Sequence, residues 1–163
     1  MCLPLKPFKV EREWTHAGLK CAVTQNQEGA FRCAYVRVPP PHPFHGKDSD
    51  DIDANIAVHG GLTFAKEEPC TEDDGKGWWF GFDFAHCGDA IHDPNPDWDT
   101  ISQEAANQLR AYRRIHDDVI RDMQPSFPGY QGEREHFWTQ AEAEVECERL
   151  AEQLSAVHAE AAK

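Results

Sequence analysis

Between residues 78 and 84 the chain reads Trp78-Trp79-Phe80-Gly81-Phe82-Asp83-Phe84, five large aromatic rings in seven positions. A run this rich in aromatic side chains reads as a β-strand, and rings that follow one another along a strand cannot all point to one side. One face therefore has to be covered by helices, while the other is either covered as well or left as a platform on which flat rings can stack. This demand selects an α+β fold, an antiparallel sheet of about five strands with two C-terminal helices packed on one face.

The other elements follow from the punctuation. Residues 1–18 form an extended lead-in broken by Pro4 and Pro7, and residues 19–163 a single α+β domain. Leu19 to Thr24 and the alternating Phe31 to Val38 read as strands joined by a turn at Asn26 to Gly29. Pro39-Pro40-Pro41-His42-Pro43 cannot be helix or central strand, so the chain leaves the sheet there. Asp48 to Asp53 reads as an exposed loop. Ile52 to Val58 and Leu62 to Lys66 read as two strands with Gly60-Gly61 as the reversal, and Glu67 to Gly77 as a polar loop. Two capping-box pairs, Thr100 with Gln103 and Thr139 with Glu142, each precede an apolar stripe at helical spacing. The second stripe, Ala143, Cys147, Leu150, Leu154 and Val157, is read as core contact, with a homodimer seam as the alternative.

No apolar run reaches the roughly 20 residues of a membrane helix, and the start lacks a secretory apolar region, so a cytoplasmic protein with reduced cysteines is expected. Charge is polarised: residues 1–47 hold seven Lys/Arg against three Asp/Glu, and the remainder nine against twenty-six. The net charge of −13 disfavours broad nucleic-acid binding, whose affinity comes from phosphate neutralisation. A small anion held by Arg32, Arg37 or Lys47 stays open beside the reading that these charges merely solvate strand faces.

Two segments can carry chemistry. In Val58-His59-Gly60-Gly61-Leu62-Thr63-Phe64 a histidine stands beside bare backbone amides, which suits an anion or a nucleobase edge; a simple turn with a hydrogen-bonded histidine accounts for the same residues. In Asp83, His86 and Asp89, polar groups recur every three residues as a strand ends, and an Asp beside a His can orient its tautomer for acid–base work, or these groups only satisfy loop amides. Zinc at His42, His45, Cys70, His86 and Cys87 has no CxxC or HExxH support, and no phosphate-binding glycine loop or GxSxG elbow occurs, so no metal or other cofactor is expected.

Taken in order, Tyr35-Val36-Arg37-Val38-Pro39, His42-Pro43-Phe44-His45-Gly46-Lys47, Val58 to Phe64, Trp79 to His86 and Glu146 to Leu154 resemble a family of small proteins encoded by bacteriophages and prophages. The resemblance spans about residues 19–154; Phe84-Ala85-His86 stands where the family carries Cys-Ala-His, which removes a thiolate from that position. It implies a phage setting, in which small acidic proteins are often accessory and several unrelated families bind or destroy nucleotide signals of bacterial immunity.

The leading expectation is thus an anti-defence protein that sequesters a cyclic nucleotide or cyclic ADP-ribose-like signal without turnover. Its pocket would draw on Arg37, His42, His45, Lys47, His59, Gly60, Gly61, Thr63, Trp79, Asp83, His86 and Asp89. One alternative is a phosphodiesterase-like enzyme with His59 and His86 as acid and base. Another is an acidic inhibitor of a host nucleic-acid-binding protein.

Overall fold

The computed structural model describes residues 8–26, 30–69, 75–93, 96, 98–99, 101–123, 125–126 and 136–161. Its centre is a five-stranded antiparallel sheet in the order β1-β2-β3-β5-β4. The strands are β1 (Lys9–His16), β2 (Leu19–Gln25), β3 (Arg32–Val38), β4 (Phe64–Glu67) and β5 (Trp78–Asp83). The helices are α1 (Ser49–Ile52), α2 (Gln103–Met123) and α3 (Gln140–Ala161). The α+β class expected from the aromatic run is the class observed.

Register explains the aromatic run. Tyr35 pairs with Gly81 and Arg37 with Trp79, while Ala34 and Val36 pair with Phe82 and Phe80. Ala34, Val36, Val38, Phe80 and Phe82 therefore share the face that receives α3, whose Ala143, Cys147, Leu150, Ala151 and Leu154 are fully buried against it. The stripe on α3 is spent on the chain's own core. The opposite face carries Ala22, Cys33, Tyr35 and Trp79, with Phe8, Phe31 and Phe64 packed beside them. Trp79 has no exposed surface. It cannot serve as a stacking platform.

Four expectations are corrected. The lead-in contains β1, joined to β2 by a two-residue turn with positive φ at both Ala17 and Gly18, the backbone a tight hairpin needs. The loop at Asp48 to Asp53 and the strand at Ile52 to Val58 are instead α1, a short 3-10 turn over Asp53–Asn55 and irregular chain. Apolar residues at 52, 54, 56 and 58 satisfy a period of two, yet only Ile52 and Ile56 are buried, four residues apart as on a helical turn. The start of α2 is capped by Ser102, whose Oγ accepts from Ala105 N at 3.2 Å; Thr100 lies outside the described residues. Finally, only α3 lies along the sheet. The first half of α2 buries Ala106 and Leu109, but Ile115 and Val119 are exposed.

The Thr139–Glu142 capping box forms as the sequence predicts. Glu142 Oε2 accepts from Thr139 N at 2.9 Å and from Thr139 Oγ1 at 2.7 Å, and Glu142 N donates to Thr139 Oγ1 at 3.3 Å. Those hydrogen bonds hold the Glu142 carboxyl below its ordinary pKa. No helix among the described residues is long and apolar enough to cross a membrane.

Candidate functional site

β5 starts at Trp78 and ends at Asp83, about 17 Å away at the rise of an extended strand. Because β3 runs antiparallel to it, with Val38 beside Trp78 and Cys33 beside Asp83, the proline segment leaves the sheet at the Trp78 end. The pocket expected to gather residues from His42 to Asp89 is thereby divided between two ends of the sheet.

At the Trp78 end the expected ligand-binding groups serve the fold. Arg37 is buried, donates from Nε to Glu68 Oε2 at 2.9 Å and from NH2 to Gly75 O at 2.8 Å, and Gly77 N donates to the same Glu68 oxygen at 3.0 Å. His42 donates from Nε2 to Leu154 O at 2.8 Å and accepts at Nδ1 from Phe44 N at 3.0 Å, so both ring nitrogens are engaged. His45 donates to Lys76 O at 2.9 Å, and Lys47 Nζ lies 5.2 Å from the Phe44 ring centre. The residues weighed and set aside for zinc are split by the same geometry, with His42 and His45 at this end and His86 and Cys87 at the other, and Cys70 lies outside the described residues.

At the other end His59, Gly60, Thr63, Asp83, His86 and Asp89 converge. Asp89 is the hub. Its Oδ2 accepts from His59 Nε2 at 2.7 Å and from His86 N at 2.8 Å, and its Oδ1 accepts from Trp138 Nε1 at 2.8 Å. Burial pushes this carboxyl upward, but the three hydrogen bonds outweigh it and hold the pKa below the ordinary value. Since a carboxylate only accepts, His59 carries its proton on Nε2.

The histidines are held from several sides. The His59 ring stacks on Phe84 at 5.6 Å and 12°, meets His86 edge-on at 5.2 Å and lies 4.5 Å from the Trp138 ring. Gly60 has φ +67°, and a Cβ there would sit 2.1 Å from the His86 ring. The backbone at residue 60 thus forms one wall against that imidazole, which is the close approach that glycine permits. Gly61 N closes the turn onto Val58 O at 3.2 Å. Thr63 Oγ1 donates to Asp83 Oδ2 at 3.0 Å, and Asp83 Oδ1 accepts from Ala85 N at 3.2 Å.

Trp138 is the member that sequence reasoning missed. An isolated bridge between Asp89 and His136, with His136 N on Gly88 O and Ala90 N on His136 O at 2.9 Å each, lays residues 136–138 beside the loop. Arg32, one of the candidate anion donors, grips Glu11 with two nitrogens at 2.7 and 3.0 Å and donates to Trp138 O at 2.8 Å. A signal for Trp138 did exist: it stands just before the Thr139 cap, where an apolar residue packs back onto the first turns of its helix.

Comparison with protein-family models, curated proteins and solved structures finds no match.

Proposed function

We propose that the cluster of His59, His86 and Asp89 is the functional centre of this protein and that it hydrolyses a small phosphodiester derived from a nucleotide. The observation that carries the reading is the Asp89–His59 contact of 2.7 Å with a second imidazole edge-on to the first. Hydrolysis adds water across a P–O ester bond: the water oxygen attacks phosphorus, the ester oxygen leaves, and one proton passes from the water to the leaving oxygen. An oriented imidazole beside another supplies groups suited to moving that proton.

Trp138 also lines an open apolar depression with Ala141, Glu142, Val145 and Glu146, which offers a flat ring a surface next to the cluster. The nucleotide class rests on the phage setting that the motif resemblance implies, where the substrate would be an immune signal. Sequestration without turnover is less favoured, because Arg37 and His42, which it enlisted for binding, are engaged at the far end of β5.

The test is to incubate the full chain with cyclic dinucleotides and cyclic ADP-ribose isomers and to chromatograph the small molecules before and after heat denaturation. Conversion to a new species that His59→Ala and His86→Ala each abolish supports hydrolysis. A compound that disappears and returns intact on heating means sequestration instead, and an untouched panel removes both readings.

A further inference from the structure

From the same cluster we infer a binding site for one divalent transition-metal ion, ligated by His59, His86 and Asp89. One donor atom from each residue lies within 4.8 Å of the other two. His59 Nε2 and Asp89 Oδ2 are 2.7 Å apart, and His86 Nδ1 is 3.6 Å from that oxygen. An ion about 2.0–2.1 Å from each ligand needs donors roughly 3.0–3.4 Å apart, so the widest pair closes by about 1.8 Å at most, within reach of rotations of the two partly exposed imidazoles.

Two independent observations point to a cation rather than to a group that merely packs. His86 Nδ1 is buried and has no hydrogen-bond partner, although Asp89 Oδ2 at 3.6 Å and Asp83 Oδ1 at 3.9 Å flank it. A buried unpaired nitrogen between two carboxylates is costly unless something positive binds there. The second observation is the charge balance. Asp83 and Asp89 bring two negative charges, and among the described residues no Lys or Arg is a hydrogen-bond or ion-pair partner of either, or of the two histidines. A phosphate approaching these carboxylates alone would be repelled, whereas a bound divalent ion cancels their two charges and gives the phosphate a cation to approach.

The surroundings are those of a ligating carboxylate and imidazole. Trp138 Nε1 holds the second oxygen of Asp89, Phe84 supports the His59 ring and Gly60 backs the His86 ring. Two histidines and one carboxylate leave coordination positions open, as in sites where water and a substrate oxygen share the ion. For Nε2 to ligate the ion, the neutral His59 ring takes its other tautomer, with the proton on Nδ1. This inference rests on the proposed reading for the choice of site and for the phosphate-bearing substrate; the ion would activate the water and neutralise the phosphate.

The experiment is titration of chelator-stripped full-length protein with Co2+ and Zn2+ alone, followed by calorimetry and by the cobalt absorption spectrum. Saturable 1:1 binding is expected, with affinity at least tenfold lower in His59→Ala, His86→Gln and Asp89→Asn and unchanged in His45→Ala at the far end of β5. Circular dichroism separates lost ligation from lost folding, and the partly exposed His86→Gln carries the result if Asp89→Asn does not fold. Absence of 1:1 binding, or equal loss in His45→Ala, overturns the site. Undiminished nucleotide turnover by stripped protein in chelator also overturns it while leaving the hydrolytic reading intact. Metal binding without turnover of any nucleotide retains the site and removes that reading.

Discussion

The indole N–H of Trp138 reaches Asp89 Oδ1 at 2.8 Å across 49 residues of chain, and the other oxygen of the same carboxylate holds His59. Trp138→Phe keeps an aromatic ring but removes the indole N–H together with part of the ring's packing on His59 and Phe84, leaving a buried carboxylate oxygen one hydrogen bond short. A loss of about 1–3 kcal/mol is expected in urea unfolding. Any turnover should fall as well, because Asp89 is then free to shift away from His59. Unchanged stability and unchanged turnover together would show that the indole does not position the carboxylate.

Gly60→Ala places a methyl group where the His86 ring now lies and forces an L-residue to adopt φ +67°. The expected cost is about 1–3 kcal/mol, with His86 displaced from the cluster. Cobalt affinity and nucleotide turnover should both fall at least tenfold in a protein whose far-ultraviolet circular dichroism is unaltered. A variant that folds and binds cobalt as tightly as the parent would mean that the ring can move without consequence.

At the opposite end of β5, Arg37 and Glu68 form an ion pair with side-chain exposures of 2% and 0%. Removing one partner leaves an uncompensated buried charge. Glu68→Leu or Arg37→Met should cost about 3–5 kcal/mol, and the double variant Arg37→Met with Glu68→Leu clearly less than the sum of these singles. Strict additivity in urea titrations would show that the two side chains are not energetically coupled.

His42 gives the fold a pH dependence of definite sign. Burial lowers its pKa below the ordinary 6.5, working against the Leu154 carbonyl and aided by His158 and His45. Its Nδ1 accepts from Phe44 N, so the folded state holds the neutral ring. Above pH 6.5 neither state is protonated and this contribution is constant; as the pH drops below 6.5 the unfolded chain takes up the proton first and stability declines until the folded pKa is passed. Melting temperatures measured from pH 8 to pH 5 should fall, and the fall should be shallower in His42→Gln. An identical slope in both proteins would assign the effect to other groups.

The parts of this fold legible in the sequence are those that local chemistry decides. The Thr139–Glu142 box, the stripe on α3, the strands at Leu19, Phe31 and Trp78, and the exit from the sheet at Pro39 depend on residues that are neighbours in the chain, and each appears near its expected place. The misread stretch at Ile52 to Val58 shows the limit. Its spacing fits two periods, and burial follows the helical one, with Ile52 and Ile56 inside and Ala54 and Val58 not.

The candidate site divides along the same line. His59 beside its glycines and the Asp83, His86, Asp89 series stood out from sequence, because glycine pairs and polar groups at a strand end have local causes. By itself the sequence determined the fold class, the burial of α3 and which short segments held candidate chemistry, since periodicity, capping and proline geometry act within a few residues. Only the tertiary structure decided that His59 and His86 share Asp89, that Trp138 completes the cluster, and that Arg37 and His42 stand apart from it. The contacts of His59 and Trp138 with Asp89 and of His42 with Leu154 span 30 to 112 residues and follow from strand register, which side chains set collectively by burying one face of a sheet at a time.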